Sequence, residues 1–153
     1  MNWDFVIKLF KSYLITEKGL SINSVEAYLH DVLLLKSQFP DSLPVNIKTD
    51  DIENFLAVLY DLGMSSSSQA RILSGLKSFY NYLILEKIIT ESPLDLIESP
   101  KLQRKLPDVL SYEEIETLIQ NLDLSKADQV RNKAMIETLY SCGLRVSELI
   151  HLK

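Results

Sequence analysis

An arginine that directly follows a glycine turn and opens a new helix is the feature of this sequence best suited to chemistry. It lies in the run Tyr140-Ser141-Cys142-Gly143-Leu144-Arg145-Val146-Ser147-Glu148-Leu149. A guanidinium is a planar fork of donors that can hold two oxygens of one phosphate. The start of a helix is also a favourable place for an anion. Glu148, three residues on, shares a helical face with Arg145 and can orient it. From spacing alone the pair reads as a surface salt bridge. A second set, Ser68, Gln69, Arg71, Ser74, Lys77, Ser78 and Asn81, falls opposite the apolar stripe of one helix and contains no acid. Small polar and basic groups of this kind suit phosphate oxygens and base edges in a major groove; a solvated face is the plainer account. Ser21, Asn23, Ser24 and Tyr28 gather near the start of an earlier helix, where capping explains the first three. His30 and His151 are the two histidines and Cys142 the one cysteine. They give no zinc-type spacing, and there is no phosphate-binding glycine loop or dinucleotide fingerprint. His30, beside Asp31, reads as a surface histidine and Cys142 as a small packed residue.

Helices must position these groups, because the repeating signal is helical throughout. Trp3, Val6, Ile7, Phe10, Tyr13 and Leu14 form a first stripe that ends at Gly19. A second helix starts at Ser21 or Asn23, with Glu26 at capping-box distance from Asn23. It carries Val25, Tyr28, Leu29, Val32, Leu35 and Phe39 and stops at Pro40. Thr49 is a good cap for a third, with Ile52, Phe55, Leu56, Leu59 and Tyr60. The serine run from Ser65 to Ser68 opens a fourth, striped by Ile72, Leu73, Leu76, Phe79, Tyr80 and Leu83. Four amphipathic helices joined by short loops predict a compact bundle.

From Thr90 to Pro107 the character changes. Prolines and a basic cluster, Lys101, Arg104 and Lys105, read as a linker. Ser111 and Glu114 then make a capping box for a stripe of Ile115, Leu118, Ile119 and Leu122. A further helix is expected from about Lys126 to Ser141, with Val130, Ala134, Met135, Leu139 and Tyr140 as candidate buried positions and Gly143 as its cap. Another begins near Arg145. The residues after the linker are too few for an independent core, so the chain reads as one full domain and the opening of a second.

The 153 residues carry 16 basic and 21 acidic side chains, a net charge of -5. Whole-chain charge therefore does not point to nucleic acid. Yet residues 100–107 hold three basic groups and no acid, and residues 62–85 hold Arg71 and Lys77 and no acid. An acidic chain can bind DNA when its positive groups share a face. A hydrophobic fraction of 46% excludes chain-wide disorder. No apolar run reaches the length of a membrane span, and the start lacks the pattern of a secretory signal. With one cysteine no internal disulfide forms, and a reducing cytoplasm is the expected compartment.

Three segments resemble the Xer-type tyrosine recombinases of the phage-integrase superfamily, with the XerD-like branch as the best placement. They are Leu20 to Val32, Ala70 to Leu83 followed by the Pro100-Lys101 and Leu106-Pro107 pattern, and Arg131 to Ala134 through Leu139 to Leu149. The resemblance implies an all-α, four-helix, SAM-like core-binding domain over 1–99 that clamps one face of duplex DNA. A basic interdomain linker over 100–107 and the first helices of a truncated mixed α/β catalytic domain over 108–153 would follow. Arg145 matches a catalytic arginine that holds the scissile phosphate, and Glu148 the acidic residue that supports it. Ser21, Asn23, Ser24, Tyr28, Arg71, Ser74, Lys77, Lys101, Arg104 and Lys105 become candidate DNA contacts. The family cuts and rejoins DNA through a 3′-phosphotyrosyl bond, without a metal or nucleotide cofactor. It works in a tetramer with a second recombinase subunit or a paralogue on the recombination site, and resolution of chromosome dimers is the role the placement favours. Neither a membrane nor a small-molecule substrate is implied.

The chain departs from the family pattern where it stops. The family's lysine, its His-x-x-Arg motif and its nucleophilic tyrosine all come after the Arg145 motif, and none of the seven tyrosines occupies the nucleophile's place. The chain is thus expected to be inactive alone, either as a truncated piece or as a natural short protein. His30 also stands where the family often has a basic residue. A catalytically dead DNA-binding module, an integrase or invertase of a mobile element, and an unrelated helical protein that binds a partner through its acidic face remain as alternatives.

Overall fold

The computed structural model describes residues 2–101 and 107–152. Contacts divide the chain into two compact units, Met1–Gln103 and Arg104–Lys153. Among the described residues there are seven α-helices, one short 3-10 helix and no strand.

The first unit holds α1 (Trp3–Thr16), α2 (Ile22–Gln38), the 3-10 turn Pro44–Asn46, α3 (Thr49–Asp61) and α4 (Ser66–Leu85). α4 is the central helix. It packs most extensively on α2 and also against α3, while α1 lies on α2. The predicted stripes supply the core: Val6, Phe10, Val32, Leu35, Ile52, Leu73, Leu76, Phe79 and Leu83 are fully enclosed. Phe79 meets Phe10 edge to face at 5.2 Å between ring centres and stacks on Trp3 at 6.1 Å, offset geometries that aromatic rings prefer. The polar ends of buried rings are satisfied: the Trp3 indole N–H donates to the Ser42 carbonyl at 2.7 Å and the Tyr80 hydroxyl to the Pro44 carbonyl at 3.1 Å.

Serine caps set the entries of α2 and α4. The Ser21 hydroxyl accepts from Ser24 N–H and the Ser65 hydroxyl from Ser68 N–H. The Asn23–Glu26 capping box is not formed, because Ser21 already holds the first turn. Thr49 is not the cap of α3 but its first helical residue. Lys48 occupies the cap position, and its N–H donates to the Asp51 carboxylate at 2.9 Å.

The stretch from Thr90 is only partly a linker. Leu94 and Ile97 are buried in the core of the first unit, and Lys77 Nζ donates to the Ile97 carbonyl at 3.0 Å. Apolar side chains three residues apart can cover the end of a bundle even in a proline-containing loop, which helical periodicity does not register.

The second unit holds α5 (Tyr112–Gln120), α6 (Ala127–Cys142) and α7 (Val146–Leu149). The Ser111 capping box forms as the spacing predicts, with Ser111 N–H donating to Glu114 Oε2 at 2.7 Å and Glu114 N–H to Ser111 Oγ at 3.2 Å. None of the candidate buried positions here is buried: Val130, Ala134, Met135 and Tyr140 are exposed, and Ile115, Ile119 and Leu139 are half-covered. Three helices, one of them a single turn, leave no layer to close over their apolar sides. Cys142, expected to be packed, is exposed for the same reason.

Candidate nucleic-acid interface

Two clusters bring together some of the side chains singled out above, one in each unit. In the first unit α2 and α4 run together and bring Ser24, Tyr28, Arg71 and Ser74 around one shallow depression of about 220 Å³, with Asp31 and Gly75 as its buried members. Residues separated by more than forty positions in sequence thus share one patch. Ser21 sits beside it as the cap of α2, its hydroxyl 3.0 Å from that of Ser24. Asn23 is exposed on the first turn of α2.

Sequence reasoning missed Asp31. Its side chain is 1% exposed, and its Oδ1 accepts from Arg71 Nη2 at 2.5 Å. The acid-free appearance of α4 is therefore incomplete, because the acid arrives from α2. Oδ2 has no hydrogen-bond partner among the described residues. It rests against Gly75, where a Cβ would lie 2.1 Å from it. The only sequence sign was an aspartate one position from the buried Val32, inside an otherwise apolar stripe.

Burial pushes the Asp31 carboxyl up from 3.8 to about 6, against the downward pull of the Arg71 guanidinium and, less strongly, of His30. Desolvation outweighs the ion pair. In the folded protein the group therefore takes up its proton at higher pH than in the unfolded chain. Its contribution to stability is fully present below pH 3.8 and is lost as pH rises through about 6. Asp31→Asn is expected to remove that decline from the pH profile of the urea midpoint; a profile parallel to the parent's would contradict the assignment.

The remaining candidates are placed less favourably than their spacing implied. Gln69 is not on the free face of α4; it is buried, and its amide donates to the Met64 carbonyl. Lys77 is half-buried and tied to Ile97. Lys101 is exposed. Arg104 and Lys105 lie outside the described residues.

In the second unit Gly143 ends α6 in the left-handed region, φ 62°, and its N–H donates to the Leu139 carbonyl at 2.9 Å. A glycine takes that conformation without steric cost, and the turn delivers Arg145 to the cap position of α7. Glu148 clasps Arg145 twice: Oε2 accepts from the Arg145 backbone N–H at 2.7 Å and Oε1 from Nη1 at 3.2 Å. The Arg145 side chain is still 82% exposed, so most of its donors are free for a ligand. α7 is a single turn, too short to supply much helix dipole, so any pull on an anion here comes from the guanidinium itself. His151 Nδ1 lies 2.7 Å from the Ser147 carbonyl. Among the described residues no three metal-type side chains gather, and no helix is long and apolar enough to cross a membrane.

A four-helix SAM-like bundle followed by an exposed, carboxylate-held arginine defines a class. Residues 7–87 match the N-terminal SAM-like domain of phage integrase, and residues 108–153 match the phage integrase family. The chain belongs to that family of tyrosine recombinases. It is 38% identical over 150 residues to tyrosine recombinase XerD of Staphylococcus epidermidis, covering 96% of this chain and 51% of that protein. It is likewise 38% identical over 151 residues to tyrosine recombinase XerD of Staphylococcus aureus, covering 97% and 51%. The chain spans about half the length of the curated relatives it matches. Among solved structures, a lambda integrase dimer bound to a COC′ core site superposes with a TM-score of 0.78 at 20% identity, over 100% of this chain and 42% of that one. At that identity the likeness concerns the fold.

Proposed function

We propose that this chain is the DNA-gripping part of a site-specific tyrosine recombinase. Residues 1–99 act as the core-binding domain, 100–107 as a basic linker along the backbone, and 108–153 as the opening of the catalytic domain. The observation that carries the reading is the convergence of Ser24, Tyr28, Arg71 and Ser74 on one patch between α2 and α4, in a chain 38% identical to two such recombinases. The lambda integrase dimer that shares the fold is bound to a COC′ core site, which supports a recombination site as the ligand here.

Arg145 holds the scissile phosphate, and Glu148 keeps its guanidinium in place. Charge gathers on the non-bridging oxygens as phosphoryl transfer proceeds, and a fixed guanidinium stabilises it. A tyrosine nucleophile stores the phosphodiester as a 3′-phosphotyrosyl bond, so rejoining needs no nucleotide. That tyrosine comes from beyond the Arg145 motif. The 153 residues therefore bind duplex DNA and do not cut it. In the whole recombinase a second subunit or paralogue completes a tetramer on the site, and the cellular role is resolution of chromosome dimers in the cytoplasm.

Binding of a labelled duplex at several salt concentrations tests the reading. If Arg71, Lys77, Lys101, Arg104 and Lys105 each neutralise a phosphate, log K against log salt falls with a slope of about -4.5. Arg71→Ala should flatten it by roughly 0.9. A salt-independent affinity, or no binding at low salt, would remove the DNA reading and favour a helical protein-interaction module. A covalent adduct on a suicide substrate would show that a nucleophile is present after all.

A further inference from the structure

The Asp31–Arg71 pair crosses from α2 to α4 at the patch just described, and its energetics are unusual. A pair kept for stability should offset the burial of its charges. Here burial raises the carboxyl to about 6 in spite of the guanidinium beside it, so desolvation weighs more on this carboxylate than the ion pair does. The carboxylate nevertheless sits in a fitted seat. It is 1% exposed, Oδ1 holds Arg71, and Oδ2 fills the space that any side chain at position 75 would need. Its partner faces the other way: the Arg71 side chain is 52% exposed beside Ser24, Tyr28 and Ser74. One donor of the guanidinium is used on Asp31, and about half of the side chain is open to solvent.

We propose that Asp31 is a positioning residue for DNA: seated against Gly75, it fixes the Arg71 guanidinium at the mouth of the α2–α4 depression so that its free N–H groups meet a phosphate or base edge. The inference rests on the DNA reading above. An arginine held in advance loses less freedom on binding than one recruited from solvent. A carboxylate that accepts from one edge of a guanidinium leaves the other edge free. Asp31 does this from below the surface, where it adds no exposed negative charge next to the strand.

The test uses the whole 153-residue chain and a fluorescein-labelled duplex of mixed sequence, at neutral pH and low salt. Asp31→Asn keeps the shape and removes the charge; Asp31→Ser serves as the smaller neutral alternative should the amide not fit. Circular dichroism checks that each variant is folded. Asp31→Asn is expected to weaken binding about 5- to 10-fold, within the range of coupled neighbours. In an Arg71→Ala background the same change should do nothing further. A readout free of DNA accompanies this: the Arg71 Nε–H signal should report a rigid side chain in the parent and a mobile one in Asp31→Asn.

The outcomes separate. If Arg71→Ala binds as tightly as the parent, Arg71 is no contact, and both the proposal and that part of the DNA reading fall. If Arg71→Ala weakens binding but Asp31→Asn leaves it unchanged or tightens it, only the positioning role falls. Equal weakening by Asp31→Asn with and without Arg71 would also overturn it, because the effect would not pass through the guanidinium. An Arg71 signal equally mobile in the parent would do the same.

Discussion

Gly75→Ala should lower stability, although an alanine inside a long helix ordinarily raises it by about 0.8–1.0 kcal/mol relative to glycine. The new methyl would lie 2.1 Å from Asp31 Oδ2, 2.9 Å from its Cγ and 3.0 Å from its Cβ. The first contact could be relieved by rotating the carboxylate, at the cost of the bond to Arg71. The last belongs to the stem of the side chain and yields only if α2 and α4 separate. Overpacking of this kind costs roughly 1–3 kcal/mol, beyond the propensity gain. In a unit of this size each kcal/mol shifts the melting midpoint by about 4–8 °C. Asp31→Ala should recover part of the loss, since it removes the two nearest atoms and leaves the third. Thermal melts of the four proteins in that cycle check the prediction. A Gly75→Ala variant as stable as the parent would mean that the two helices are not so close.

The second large effect concerns chemistry. In a chimera joining this chain to the remaining length of the Staphylococcus aureus relative, Arg145→Ala is expected to slow strand cleavage about 10²- to 10³-fold, by analogy with loss of one oxyanion donor. Arg145→Lys should recover little, because an ammonium cannot span two oxygens of a phosphate as the fork does. Glu148→Gln should cost less than either. It removes the charge opposite Nη1 but leaves an amide oxygen that can still accept from the Arg145 N–H. The measurement is the rate of covalent adduct formation on a suicide substrate. Cleavage at the parent's rate with alanine at position 145 would end the proposed role of this side chain.

Much of the bundle was legible in the sequence, for a definite reason. A helix that packs on one side repeats its apolar residues every three to four positions, and the stripes of α1 to α4 carry that period. Ser65, Ser111 and Gly143 could be read because capping is a local matter of one hydroxyl or one backbone angle. Apart from the caps of α2 and α3, where Ser21 and Lys48 hold the positions expected of Asn23 and Thr49, the failures were non-local. Nothing within α2 indicates that Asp31 meets an arginine forty residues away, and nothing within α4 indicates that Gly75 is the seat for it. Leu94 and Ile97 fall in a stretch whose composition reads as linker, because a two-residue apolar contact has no period, although the resemblance places them within 1–99. In the second unit the stripes were real, but a stripe states only which side wants cover, not whether cover is present. The candidate interface divides along the same line. Arg145 and Glu148 were found as a pair because they are three residues apart, whereas the shared patch of Ser24, Tyr28, Arg71 and Ser74 needed the fold.

Where the first unit closes has a practical bearing on dissecting the protein. The matched SAM-like region stops at residue 87, and α4 ends at Leu85, so either point looks like a natural place to cut. An excision there would strip away Leu94 and Ile97 and leave bare the surface they cover, a loss of roughly 1.5–3 kcal/mol for each side chain. A fragment meant to fold alone should therefore run at least through Ile97, whose carbonyl Lys77 also holds. A shorter piece that failed to fold would report a misplaced boundary rather than a weak domain.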